Sequence, residues 1–270
     1  MLPVLHRSLV GEAPYTTQLG AGLGLIAETV RLLDLWEAGM SGQRLLRIAL
    51  ESGAFATISA RRLRNIIIEA FGPRYLADGA QPARLLKILQ GRIPQLDLRQ
   101  ILFLYTSRAN PILADFIREV YWQRYGAGAQ AVTKDEAKSF IRRAVGRNRT
   151  TTGWAESTII RVSNYLLGIC ADFGLLGTMQ ADARAVIPFR ITSVTTSVVA
   201  HELHFRGLGD SAVVHHSEWG LFGLEPADVL QELKRLALRG EIIVQSAAAI
   251  TQIGWKHKSM EELAHVLAES

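Results

Sequence analysis

Two runs of arginine carry the strongest chemical signal in this chain. In the first, Arg61, Arg62, Arg64 and Asn65 follow Ser59, and Arg44 and Arg47 lie one helix earlier. Arginine and asparagine present paired hydrogen-bonding groups that match guanine and adenine edges, and Ile68, on the same side at helical spacing, can meet a thymine methyl. In the second run, Lys138, Arg142, Arg143, Arg147 and Arg149 occur without an intervening acid and lead into Thr150, Thr151, Thr152 and Gly153. A helix expected to begin there offers hydroxyls and free N–H groups, which hold phosphate. Its polar side carries Ser157, Arg161 and Asn164. A third, smaller set, Lys256 and Lys258, marks the exit from a C-terminal hairpin. Each set also fits a solvated basic face, and the threonines also fit an ordinary helix cap.

Signals for catalysis are poor by comparison. His201-Glu202-Leu203-His204 falls one residue short of the zinc-protease spacing and has no third ligand in view, and His215-His216 does not complete it. Gly20, Gly22 and Gly24 follow no strand, so they do not form a dinucleotide loop. Asp97, Asp115, Asp172 and Asp182 lie in separate contexts and suggest no two-metal centre. Cys170 shares an apolar helix face with Ile159, Val162, Leu166, Ile169 and Phe173, which reads as core packing. No catalytic set, metal, cofactor or small-molecule substrate is expected.

The elements that must position the arginines are mostly helical. The chain has 270 residues, 49% of them apolar, with a net charge of +5, enough for two cores and compatible with a polyanion partner. Periodicity predicts helices over 25–36, 41–53 with Ser41 as cap, and 59–71 with Ser59 as cap. Further helices are expected over 82–91, 97–108 and 111–125. The small, uncharged stretch 126–131 is the expected boundary between a helical domain over 1–125 and a second over 132–270. Beyond it, Thr133 and Glu136 form a capping box for a helix ending at Gly146, and further helices cover 154–173 and 194–205. Pro226 opens a helix that stops at Gly240. Residues 241–245 and 250–253 then alternate as two short strands around a turn at 246–249. The fold class is mainly α: two helical domains with a small C-terminal β-hairpin, a helix-turn-helix-like unit expected from the helices after Ser41 and Ser59, and a winged-helix-like unit expected from the C-terminal helix, hairpin and basic exit over 224–258. The start shows no secretory pattern and the most apolar window, 19–30, is too short to span a bilayer, so a cytoplasmic location without membrane contact is expected.

The linear order of several motifs resembles a known family. Glu28-Thr29 with Leu33-Asp34-Leu35-Trp36, Leu102-Phe103-Leu104-Tyr105 with Arg108-Ala109-Asn110-Pro111, Gly153-Trp154, and Asp172-Phe173-Gly174-Leu175-Leu176 look like the BrxA family. So do His204-Phe205-Arg206-Gly207-Leu208, the stretch 219–224 and the stretch 255–262. BrxA proteins belong to BREX bacteriophage-exclusion systems, alongside a DNA methyltransferase and large ATPases. The resemblance implies a small, mainly helical, non-enzymatic component that binds double-stranded DNA, with no agreed set of functional residues. The reading that results is a DNA-binding accessory gripping mainly phosphates. The alternative is an adaptor docking other BREX proteins, such as the methyltransferase or an ATPase, or RNA.

Overall fold

Ser41 and Ser59 start helices as their positions predict. In the computed structural model, which describes residues 13–21, 23–247 and 250–269, the Ser41 hydroxyl accepts from the Arg44 N–H and that of Ser59 from the Arg62 N–H. Each bond satisfies one of the N–H groups that a helix start leaves open. The opening residues read above for a leader, Gly22, and 248–249 of the expected turn lie outside the described residues. The first helices are α1 (Ile26–Leu35), α2 (Gly42–Glu51) and α3 (Ala60–Arg64). α3 runs without a break into a π-helical stretch, Asn65–Leu76, that contains Pro73. Proline has no N–H to donate, and the wider i→i+5 turn accommodates it. α4 (Gln81–Leu89) and α5 (Gln95–Ala109) follow, α5 being buried almost continuously from Asp97 to Ser107. α6 (Pro111–Phe116), a second π-helical stretch (Ile117–Tyr121) and α7 (Trp122–Gly126) form the next continuous rod.

A small sheet that the sequence pattern did not disclose frames the next two helices. Strand β1 (Ala131–Thr133) leads into α8 (Lys134–Gly146), then α9 (Glu156–Asp172), then strands β2 (Leu176–Gln180) and β3 (Ala183–Val186). The strands are antiparallel in the order β1-β3-β2, with Val132 opposite Arg184, Gln180 opposite Ala183, and a register shift between Leu176 and Met179. The Thr133–Glu136 capping box is formed in both directions at the start of α8.

The C-terminal part comprises α10 (Ser193–Phe205), α11 (Asp210–Val214), α12 (Pro226–Leu238), the hairpin strands β4 (Ile242–Ala247) and β5 (Ile250–Trp255), and α13 (Met260–Glu269). The hairpin is longer than its alternation indicated, because Ala247 still pairs with Ile250. α13, also not anticipated, packs against α4 and α10. Side chains on both sides of residues 126–131 share one buried cluster. At its centre Phe103 of α5 meets Phe173, Phe189 and Phe222 with ring centroids 5.6, 5.7 and 5.8 Å away. Among the described residues no helix is long and apolar enough to cross a membrane.

Candidate nucleic-acid interface

The amphipathic pattern of α9 decides which of its side chains face out. Ile159, Val162, Leu166, Ile169 and Cys170 point inward and are buried, while Ser157, Ile160, Arg161 and Asn164 are exposed. Farther along, the outer face is covered. A methyl group at Gly168 would lie 3.1 Å from the Leu23 side chain, and the Gly24 N–H donates to the Asp172 carboxylate at 2.8 Å. Only the first turns of α9 are therefore open, and they hold Arg161 and Asn164. Arg147, in the loop before the helix, is exposed as well. The guanidinium groups of Arg147 and Arg161 make no hydrogen bond or ion pair among the described residues.

The rest of the second basic run is partly spoken for. No acid interrupts it in sequence, but folding brings acids from elsewhere. Arg142 bonds the Glu156 carboxylate at 2.5 Å, Lys138 pairs with Asp135 at 3.0 Å, and Arg149 reaches Asp115 at 3.1 Å while its guanidinium lies 4.8 Å from the Tyr15 ring centre. Arg143 is exposed and lines a cleft with Glu119, Asp135 and Glu136. The threonines do not cap the helix as expected. The N-cap is Ala155, whose side chain cannot accept a hydrogen bond. The cause is the N-terminal segment: Tyr15 donates its N–H to the Arg149 carbonyl at 2.7 Å and accepts from the Thr151 N–H at 3.1 Å, which keeps 149–151 extended. Thr151 and Thr152 remain exposed beside Arg147.

On the N-terminal side Arg44, Arg47, Arg61, Arg62 and Arg64 are all exposed. Asn65 is half-buried, and Ile68 is not on the open face, since its side chain packs on Gly42 at the start of α2. The π-helical turn explains this correction, because spacing at 100° per residue no longer predicts direction past Asn65. Arg62 lines a cleft with Leu23, Leu25, Glu28 and Asp172, so this basic group adjoins the far end of α9. In the C-terminal part the Lys256 ammonium donates to the Gly240 carbonyl beyond α12, and Lys258 is exposed.

The sequence model of the BrxA family matches residues 13–202. The chain belongs to the BrxA family. That makes it a BREX-associated protein of a non-catalytic accessory family. The motifs at 204–208, 219–224 and 255–262 lie beyond the matched span. A crystal structure of an uncharacterized protein from Magnetospirillum magneticum is similar to this BrxA chain, with a TM-score of 0.52 and 15% identity over 71% of this chain and 95% of that one. At such identity the likeness is one of fold alone. No curated protein matches the chain.

Several polar groups that sequence reasoning missed act inside this BrxA chain. Arg108 of α5 bridges Glu202 and Glu218 at 2.6 Å each, Arg206 joins Glu218 at 3.2 Å, and the Tyr105 hydroxyl donates to Glu202. Burial alone would raise the Glu218 carboxyl, but Arg108 and Arg206 hold it below the usual carboxylate range. The only sequence signal was Arg108 within a family-like motif. The histidines of the incomplete zinc pattern are absorbed locally. His201 is buried against Ser197, with its imidazole pushed down to about 4 by burial, and His204 stacks on Trp255 at 4.4 Å. Among the described residues no three His, Cys, Asp or Glu side chains gather as a metal site. The fully buried Cys170 thiol is pushed up by desolvation, away from the reactive thiolate.

Proposed function

We propose that the chain binds double-stranded DNA in the bacterial cytoplasm as a non-enzymatic accessory of BREX phage defence, gripping mainly phosphates. The observation that carries this reading is the open start of α9, where Arg147 and Arg161 stand exposed with no counter-charge among the described residues and Asn164 follows Arg161 on the same helix face. An arginine fork without a protein carboxylate is suited to a phosphate or a guanine edge. The order of elements supports it. A strand, two helices and a hairpin with strand order β1-β3-β2 is the plan of a winged helix, whose second helix meets the groove while the hairpin flanks the backbone. α9 occupies that second position. Arg61, Arg62 and Arg64 extend the basic surface past the far end of the same helix. Arg142, Arg143, Arg44, Arg47, Lys256 and Lys258 serve as peripheral phosphate contacts in this reading, weakened where a carboxylate already holds them.

The second reading, an adaptor docking other BREX components, is favoured by two exposed apolar side chains, Leu238 at the end of α12 and Ile243 on the C-terminal hairpin. Gel shifts with duplex DNA, single-stranded DNA and RNA at several salt concentrations separate the two. The DNA reading expects duplex binding that weakens steeply as salt rises, since counterions released from the phosphates return. Binding to none of the three at low salt would refute it.

A further inference from the structure

The segment before α1 packs on α9 and is tied down at both ends. At one end Tyr15 is buried, its hydroxyl donating to the Asp115 carboxylate of α6 at 2.6 Å. Its ring meets Phe140 of α8 at 6.3 Å between centres and the Arg149 guanidinium at 4.8 Å. Burial and the neighbouring Asp115 push the Tyr15 hydroxyl up, so it stays protonated and keeps donating. At the other end the Leu23 carbonyl accepts from the buried Arg74 guanidinium at 3.2 Å, and the Gly24 N–H is held by Asp172 at the close of α9. Leu19, between the two ties, is buried as well.

Tyr15 is also the hold on the loop that joins α8 to α9. Arg147, Asn148 and Arg149 donate their N–H groups back to the last turn of α8, which fixes the loop's first residues. Beyond them the only bonds from another element are those of Tyr15 among the described residues, to the Arg149 carbonyl and the Thr151 N–H, in a parallel bridge to Thr150. Within the loop the Thr150 hydroxyl donates to the Thr152 carbonyl at 2.7 Å, and the buried Trp154 ends it. The exposed Arg147, Thr151 and Thr152 therefore keep their spacing through a side chain and backbone that lie beneath them.

We propose that Tyr15 is a positioning residue for duplex DNA: it fixes the backbone of 149–152 in advance, so that Arg147, Thr151 and Thr152 meet the phosphates without first being ordered. This rests on the DNA reading above. Tyr15 is uncharged and buried and touches no DNA itself. A loop released from it still carries the same arginines and displaces as many counterions, but ordering it on the duplex then costs affinity. The signature is weaker binding with an unaltered salt slope.

Fluorescence anisotropy with duplex DNA at several salt concentrations, together with hydrogen exchange of the full chain, tests this with three variants. Tyr15→Phe keeps the ring and loses the tie to Asp115, whereas Thr151→Pro removes the N–H that Tyr15 accepts. Each should weaken binding about fivefold, leave the slope as it is, and speed exchange over 147–153 while α8 and α9 keep their native protection. Thr151→Ala keeps the N–H and should bind within about twofold of the native chain. A native chain that binds no duplex removes the DNA reading and this inference together. A native chain that binds, beside a folded Tyr15→Phe or Thr151→Pro of native affinity, overturns this inference alone. So does a slope that falls in either variant, or a Thr151→Ala that weakens binding as much as Thr151→Pro.

Discussion

His201 should make stability fall between neutral and mildly acidic pH. Its ring is fully buried on α10, Nδ1 lies 2.8 Å from the Ser197 carbonyl, and among the described residues Nε2 has no hydrogen-bond partner. His257, with its ring centre 5.4 Å away, and His204 further oppose a charge there. Burial sets the imidazole at about 4 in place of its ordinary 6.5. Because the folded value is the lower, the unfolded chain binds the extra proton between the two. The contribution is complete above the ordinary value, shrinks as pH falls through this window, and is gone below about 4. The gap corresponds to about 3 kcal/mol in all, of which about 2 kcal/mol is lost between pH 7.5 and pH 5. Urea unfolding at those two pH values, for the native chain and for His201→Gln, measures it. The glutamine amide can still donate to the Ser197 carbonyl but does not titrate. The variant should be less stable at pH 7.5 and lose about 2 kcal/mol less on acidification. An equal loss in both proteins, or an imidazole that titrates near 6.5 by NMR, refutes the reasoning.

Other outcomes follow from single contacts. Arg108→Met leaves Glu202 and Glu218 without their shared cation and should cost about 3–5 kcal/mol in denaturant unfolding. Gly223→Ala should destabilise by about 1–3 kcal/mol in the same assay, because the new methyl would lie 2.6 Å from the Trp122 ring at a residue with φ of 68°. Limited proteolysis should nick the exposed turn around 126–130 first, yet the two pieces should elute together in gel filtration, since both contribute to one buried cluster.

What the sequence disclosed was local. Ser41, Ser59 and the Thr133–Glu136 box announced helix starts because a cap is made within three residues, and the exposure of Arg161 and Asn164 followed from helical period alone. The β1-β3-β2 sheet stayed hidden because its strands are three to five residues long, because β2 and β3 pair with a register shift, and because Thr133 of β1 meets Ala183 of β3 across 50 residues of chain. The neutralisation of Arg149 was invisible for the same reason, since Asp115 lies 34 residues away. Ile68 was misplaced because periodic reasoning assumes an α-helical turn where the chain takes a wider one. Thr151 and Thr152 lost their expected capping role to Tyr15, a contact across more than 130 residues.

The most direct test of the DNA reading is the salt dependence of duplex binding when Arg147 and Arg161 are both replaced by alanine. Fluorescence anisotropy with one labelled duplex, titrated at several salt concentrations, gives the slope of log affinity against log salt. Both side chains are exposed and make no bond among the described residues, so the fold should be unaffected. Weaker binding is expected, with the slope reduced by about two, close to one for each lost phosphate contact. A folded double variant with the native affinity and the native slope would contradict it.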